Sequence, residues 1–216
     1  MRSCIRQKAH APIRPAGVRC APMPAQPSLN LPTLTLRDRR DDDLPTLWRW
    51  LHAESDPEWK RWDAPYFHAA GGLSTLSLTD FTAREGGRAP DPHGRIIALD
   101  GACIGQVTRH EEAPAGGGWW DLGVLIFDPR HWGGGLGTQA LQLWTDATFV
   151  ETGAHVLTLT TWGGNERMVR AAARTGFREC ARIPQARAWA GQRWDSVKLA
   201  QLRTNGRPGL CPDRPA

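Results

Sequence analysis

Residues 131–140 read His-Trp-Gly-Gly-Gly-Leu-Gly-Thr-Gln-Ala and lie between an apolar run, Trp119–Phe127, and an amphipathic stretch. The order is that of a strand, a glycine-dense turn and a helix start. Residues without Cβ let consecutive backbone N–H groups face one point, and the first N–H groups of a helix lack intrahelical partners and carry partial positive charge. Such a turn suits phosphate. Three readings are open: a purely structural turn, a dinucleotide site, and a site for another phosphate-bearing ligand. Gly135-x-Gly137-x-x-Ala140 matches the dinucleotide fingerprint literally. Its context does not, because Asp128–Trp132 separates it from the strand and an antiparallel hairpin precedes it, where the fingerprint needs a parallel βαβ unit. A nucleotide P-loop is excluded, since no Gly-Lys-Ser/Thr occurs.

Other reactive side chains form less of a pattern. Cysteines stand at 4, 20, 103, 180 and 211 with no CxxC, and the seven histidines are scattered, so no metal site is expected. Cys103 and Cys180 fall in apolar strand-like runs and read as ordinary buried thiols, in a reducing, cytoplasmic setting without a disulfide framework. Carboxylates Glu54, Asp56, Glu58 and Asp63 mix with Trp59, Trp62 and Tyr66, a combination that would suit a cationic amine. Lys60 and Arg61 sit among them, which favours a solvated mixed-charge loop.

The elements that must position these residues follow from periodicity. Thr33–Arg37 alternates as a first strand, and Asp41–His52 carries Leu44, Leu47, Trp48 and Leu51 at helical spacing. Asp56–Phe67 reads as an ordered loop with a short helix, Leu78–Glu85 as a second helix and 86–94 as a loop. Arg95–Leu99 and Ala102–Arg109 flank Asp100-Gly101, a strong hairpin signal. Trp119–Phe127 is a strand, and Thr138–Glu151 a helix with Ala140, Leu143, Trp144, Ala147 and Val150 along its apolar face. Val156–Thr161 is a strand, Asn165–Thr175 a helix stopped by Gly176, and Glu179–Ala188 with Arg193–Leu202 a final hairpin. The predicted order is β-α-α-β-β-β-α-β-α-β-β.

Composition bounds the rest. The 216 residues suffice for one domain, with 40% hydrophobic residues and 11 Trp for its core. The net charge of +5 comes from residues 1–30, which hold five basic side chains and no acidic one; beyond them basic and acidic residues balance at 22 each. That argues for a basic, proline-rich, disordered tail and against a nucleic-acid-binding body. The tail is readable as a transit peptide or as sequence ahead of a true start near Met23. No stretch is long and apolar enough for a membrane span. The expected organisation is a tail over 1–30, a domain over 31–203 and a loose end over 204–216.

The loop in this setting resembles that of the GNAT superfamily of N-acetyltransferases. The family's Arg/Gln-x-x-Gly-x-Gly/Ala reads here Trp132-Gly-Gly-Gly135-Leu-Gly137, and tryptophan in first place is similar to the RimJ/RimL-type branch, which includes ribosomal-protein N-terminal acetyltransferases. Asp128-Pro129, Leu159–Phe177 and Arg193–Arg203 carry the resemblance further, over about residues 31–203. It implies an α/β (α+β) GNAT fold, a mixed, mostly antiparallel sheet whose fourth and fifth strands splay apart, and acetyl-CoA as cosubstrate. By the same resemblance, the backbone of Leu125, Ile126 and Phe127 contacts pantetheine, and the N–H groups of Gly133, Gly134, Gly135, Leu136, Gly137 and Thr138 hold the pyrophosphate. Asn165 corresponds to an asparagine on the cofactor arm, and as a residue it is equally an N-cap.

The implied chemistry is acyl transfer from a thioester to an amine, by direct attack in a ternary complex. An ammonium cannot attack, so a base is needed, directly or through water. Asp121 matches the position of a base-like Glu; it reads equally as a paired carboxylate. The family's acid tyrosine and serine would fall at Ala172 and Met168, so a catalytically weak acetyl-CoA-binding regulator is the alternative. The resemblance puts Trp62, Asp63, Tyr66, Arg187 and Asp195 on the acceptor side. The acceptor is a protein N-terminus or a small amine, and the protein a monomer or homodimer, without nucleic-acid or membrane partners.

Overall fold

The computed structural model describes residues 32–68 and 76–203; the tails expected over 1–30 and 204–216 lie outside the described residues. Seven strands occur: β1 (Leu34–Arg37), β2 (Gly94–Leu99), β3 (Ala102–Glu111), β4 (Trp119–Ile126), β5 (Val156–Trp162), β6 (Arg178–Trp189) and β7 (Gln192–Leu202). The helices are α1 (Leu44–Trp48), α2 (Pro65–His68), α3 (Leu78–Glu85), α4 (Leu136–Thr152) and α5 (Glu166–Arg174). The strands form one sheet in the order β1-β2-β3-β4-β5-β7-β6. Every pairing is antiparallel except β4 with β5. This is a GNAT fold of the α/β class.

Local sequence explains most of these elements. Asp100 and Gly101 both adopt positive φ, 49° and 85°, as a type I′ turn requires, and they join β2 to β3. Ser77 caps α3 by accepting from the Asp80 N–H at 3.1 Å. The predicted helix over 41–52 is present but broken into a 3-10 turn (Asp41–Asp43), α1 and a π turn (Arg49–Ala53). Arg37 grips Asp43 with two hydrogen bonds of 2.7 Å, tying that first turn to β1.

Two apolar layers cover the sheet. On one face α4 packs Ala140, Leu141 and Trp144 against Ile97, Val107, Leu122, Leu157 and Val197. On the other, Leu44, Leu47, Trp59 and Phe81 enclose Ile96 and Phe127. The apolar face expected for α4 needs correction. Leu143 is 38% and Val150 83% exposed, whereas Thr145 and Thr148 are buried beside Ala140, Leu141 and Trp144. The cause is Arg109, buried beneath the helix. Its guanidinium stacks 4.8 Å from the Trp144 ring, meets the Thr148 hydroxyl at 3.5 Å and reaches Glu151 at 2.6 Å, so the buried stripe of α4 runs through Trp144 and Thr148. Apolar periodicity does not register a buried cation.

The buried thiol expected at Cys180 also needs correction. Cys180 is exposed because it falls in a register irregularity in the exposed first part of β6, an edge strand, while Cys103 is half-buried and its thiol is pushed up to about 11 by burial. Among the described residues no helix is long and apolar enough to cross a membrane.

Two stability predictions follow from this packing. Trp144 is wholly buried and its indole donates to Thr108 O at 2.8 Å. Trp144→Ala should therefore lose about 3–5 kcal/mol in urea denaturation, whereas Val150→Lys on the same helix should stay within about 0.5 kcal/mol. Burial alone would raise the Asp43 carboxyl, but the Arg37 guanidinium and the Arg40 N–H outweigh it and hold Asp43 below the ordinary carboxylate range. A depressed value gives stability that is complete above the unfolded value and lost as pH falls through the folded one. Asp43→Asn should cost about 1–3 kcal/mol at pH 7, and its difference from the parent should shrink below about pH 4.

Candidate active site

β4 and β5 pair only from Trp119–Val156 to Asp121–Thr158. Beyond that point β4 stays with β3 as far as Ile126, and β5 stays with β7 as far as Trp162. The sheet therefore opens into a wedge with its vertex at Asp121 and Thr158. Hydrogen-bond parity fixes what faces the gap. Trp119 O accepts from Glu112 N at 2.9 Å and Phe127 N donates to Ile104 O at 3.0 Å, so the odd-numbered backbone groups of β4 turn toward β3. The Leu122 carbonyl and the backbone groups of Val124 and Ile126 turn into the gap. Of the three residues with a predicted backbone role, only Ile126 does so, and its carbonyl already accepts from Trp132 Nε1 at 3.0 Å. Leu125 and Phe127 direct their side chains into the α1–α3 layer. Strand parity adds Val124 to the residues whose backbone faces the gap.

The chain leaves β4 through Asp128, whose carboxylate accepts from Arg130 N at 2.9 Å and caps the one-turn segment Pro129–His131. The glycine loop then opens at the wide end of the wedge. Gly133 and Gly135 adopt φ of 83° and 85°, a left-handed region that costs other residues about 1–2 kcal/mol, and Gly135 is the N-cap of α4. The first backbone bond of α4 runs from Gln139 N to Gly135 O at 3.0 Å, so the N–H groups of Leu136, Gly137 and Thr138 have no intrahelical acceptor. A Cβ added at Gly133, Gly134 or Gly135 would meet nothing within 4 Å. The cradle is open to a ligand, its first helical turn carries no acidic side chain, and it fits a pyrophosphate.

At the vertex, Asp121 is buried. Its Oδ2 accepts from the Thr158 and Thr160 hydroxyls at 3.0 Å each and faces Lys198 Nζ at 3.4 Å. Trp119 Nε1 donates to Thr158 Oγ1 at 2.9 Å, which orients that hydroxyl toward the carboxylate. Lys198 also bonds Glu112 Oε1 at 3.1 Å, and Glu112 lies 3.8 Å from His110 Nε2. Burial would lower the lysine, but Glu112 and Asp121 outweigh it and hold Lys198 above its ordinary range, as an ammonium. His110, Glu112 and Asp121 fall within 4.8 Å of one another, a cluster that the scattered histidines of the sequence did not announce. The Lys198 ammonium brings positive charge to both carboxylates.

The acceptor-side residues group in two places. Trp62 O accepts from both Trp162 Nε1 at 3.1 Å and Asn165 Nδ2 at 2.8 Å, while Asn165 Oδ1 caps α5 by accepting from Met168 N at 3.1 Å. The Asn165 side chain thus joins the acceptor loop to α5. Arg167 lies over the rings of Trp62 and Trp132, 4.4 and 5.1 Å from their centroids. Tyr66, whose hydroxyl burial pushes up, sits 5.0 Å from the Arg187 guanidinium. Asp63 pairs with His68 at 3.2 Å. Asp195 accepts from Gln185 N at 3.0 Å and pairs with Arg182 at 3.1 Å, which holds the irregular middle of β6. Ala172, at the family's tyrosine position, is fully buried.

Comparison with known proteins agrees with this geometry. Residues 33–178 match the acetyltransferase (GNAT) domain, and the chain belongs to that family of acetyltransferases. No curated protein matches the chain by sequence. Solved structures share its fold at low identity. Spermidine N-acetyltransferase from Vibrio cholerae, in complex with coenzyme A and spermine, is 17% identical over 78% of this chain and 95% of its own, with a TM-score of 0.60. RimL, a ribosomal alpha-N-protein acetyltransferase in complex with coenzyme A, is 15% identical over 79% and 94%, with a TM-score of 0.59. The yncA protein of Salmonella typhimurium, with its cofactor acetyl-CoA, is 19% identical over 82% and 99%, with a TM-score of 0.56.

Gly135→Glu puts bulk and negative charge in the cradle at a left-handed position. It should weaken acetyl-CoA binding by at least about 100-fold in calorimetry, with the far-UV circular dichroism retained. Unchanged affinity would show the cradle to lie elsewhere.

Proposed function

We propose that this protein is an acetyl-CoA-dependent N-acetyltransferase of the RimJ/RimL-like kind, which moves an acetyl group to a primary amine by direct attack in a ternary complex. The acceptor is a protein N-terminus or a small amine. The observation that carries the reading is the wedge between β4 and β5, with the glycine cradle at its open end and a buried carboxylate at its vertex.

Acetyl-CoA supplies the acetyl group as a thioester, and its thiol, with an ordinary value of about 8.5, is a fair leaving group without an acid. The N–H groups of Gly133–Thr138 hold the pyrophosphate, and the open backbone groups of Val124 and Ile126 align the arm as an added strand would lie. The Val124 N–H donates to the negative charge that develops on the attacked carbonyl oxygen. Asp121 takes the amine proton, directly or through water, and the hydroxyls of Thr158 and Thr160 fix its orientation. Reducing, cytoplasmic surroundings and a monomer or homodimer complete the reading.

Asp121→Asn should lower kcat by about 100-fold or more in a thiol-release assay, while acetyl-CoA affinity changes less than about threefold. An unaltered rate across pH would remove Asp121 as base. Acetyl-CoA binding without thiol release on any amine of a broad panel would favour a binding regulator instead.

A further inference from the structure

The face of the sheet that carries Asp121 can be followed away from the vertex. Lys198 contacts Asp121, and strand alternation places Lys198, Ser196 and Trp194 on that same face of β7. Trp194 stacks edge-on against Trp162 of β5 at 4.8 Å and pairs across strands with Arg187 of β6. Cross-strand partners share a face, so Arg187 belongs to the same surface as the vertex. Its guanidinium lies 5.0 Å from the Tyr66 ring and 5.4 Å from the Phe67 ring, and its Nε is buried without an acceptor among the described residues. Beside it, Tyr66, Trp189, Gln192 and Arg193 line a hollow of about 510 Å³ at the turn of the final hairpin.

The nearby carboxylates have partners elsewhere: Asp63 hydrogen-bonds His68, and Asp195 pairs with Arg182 on the opposite face of β7. Arg187 forms no ion pair with a described residue, whereas Arg193, the cross-strand partner of Ala188, belongs by alternation to the opposite face with Asp195. A guanidinium resting over the Tyr66 ring with its Nε unpartnered is a receptor for a carboxylate. From Lys198 to Trp194 is four residues, roughly 13 Å at about 3.3 Å per residue. An extended peptide with its amine at the vertex would bring its fourth or fifth side chain to Arg187.

We infer that the acceptor is a peptide or protein N-terminus bearing an acidic side chain about four residues from the amine, and that Arg187 selects it. The inference rests on the acetyl-transfer reading above, because the vertex supplies its point of reference. The binding contact is the Arg187 guanidinium fork, which a carboxylate meets in its plane while the Tyr66 ring covers its face.

The test uses the full chain saturated with coenzyme A and two peptides labelled at the C-terminus, identical except for Glu or Gln at the fourth position. Fluorescence anisotropy at low salt should show the Glu peptide binding at least about tenfold more tightly, with spermidine a poor competitor. Arg187→Gln should bring the two peptides within about twofold of each other, and Arg187→Glu should favour a peptide with Lys at that position. Calorimetry with coenzyme A on each variant reports folding separately. Equal binding of the Glu and Gln peptides to the parent protein overturns the inference, as does a preference that survives Arg187→Gln or tighter binding of spermidine. A Glu preference without thiol release from acetyl-CoA supports the subsite and counts against acetyl transfer.

Discussion

Each strand flanking the wedge is tied along its length to a different neighbour, β4 to β3 and β5 to β7. β4 gives its odd-numbered groups to β3 and β5 gives its other edge to β7, so each side of the gap is anchored independently of what lies in it. The consequence is an unusual edge inside the sheet, where the Leu122 carbonyl and the backbone groups of Val124 and Ile126 lack strand partners, the Leu122 N–H belonging to the last rung of the β4–β5 ladder. Polar backbone groups away from water need partners. The Trp132 indole answers one of them, Ile126 O, and thereby draws the entry of the glycine loop against the end of β4.

The vertex is held by charge and hydroxyl groups, where an ordinary sheet would have apolar contacts. Asp121 comes from β4, Thr158 and Thr160 from β5, Lys198 from β7 and Glu112 from the end of β3, so one network joins four strands where the sheet divides. Buried ion pairs repay little net stability, because both partners must leave water. What such a network gives is a single geometry: two hydroxyls and one ammonium leave the carboxylate few alternative orientations. A fixed orientation of this kind is what the proposed base role requires.

The aromatic loop and α5 are joined mechanically through Asn165. One end of its amide caps α5, which borders the wedge, and the other holds the Trp62 carbonyl, which also receives the Trp162 indole. The aromatic loop around Trp59 and Trp62 is thus set by the splayed end of β5. Its charged side chains largely satisfy one another, Arg49 with Glu54 and Arg61 with Asp56, leaving the aromatic rings to shape the surface.

Much of this was legible in the chain itself. Asp100-Gly101 specifies its hairpin because both positions need positive φ, and Gly133 and Gly135 specify the loop for the same reason; both are local backbone constraints, written in local sequence. The strands and the fold class follow from alternation and from turn residues in the same way. Other features involve residues far apart in sequence. Sequence spacing suggested Leu143 and Val150 for the core, but Arg109, from another strand, turned Thr145 and Thr148 inward instead. Asp121 reads in the sequence equally as a base and as a paired carboxylate, and its partners Thr158 and Lys198 stand 37 and 77 positions away. Sequence by itself determined the glycine turn, because backbone conformation is a property of neighbouring residues. The surroundings of the vertex carboxylate and the uncompensated charge at Arg187 were decided only by tertiary structure, because electrostatic partnership depends on distance in space.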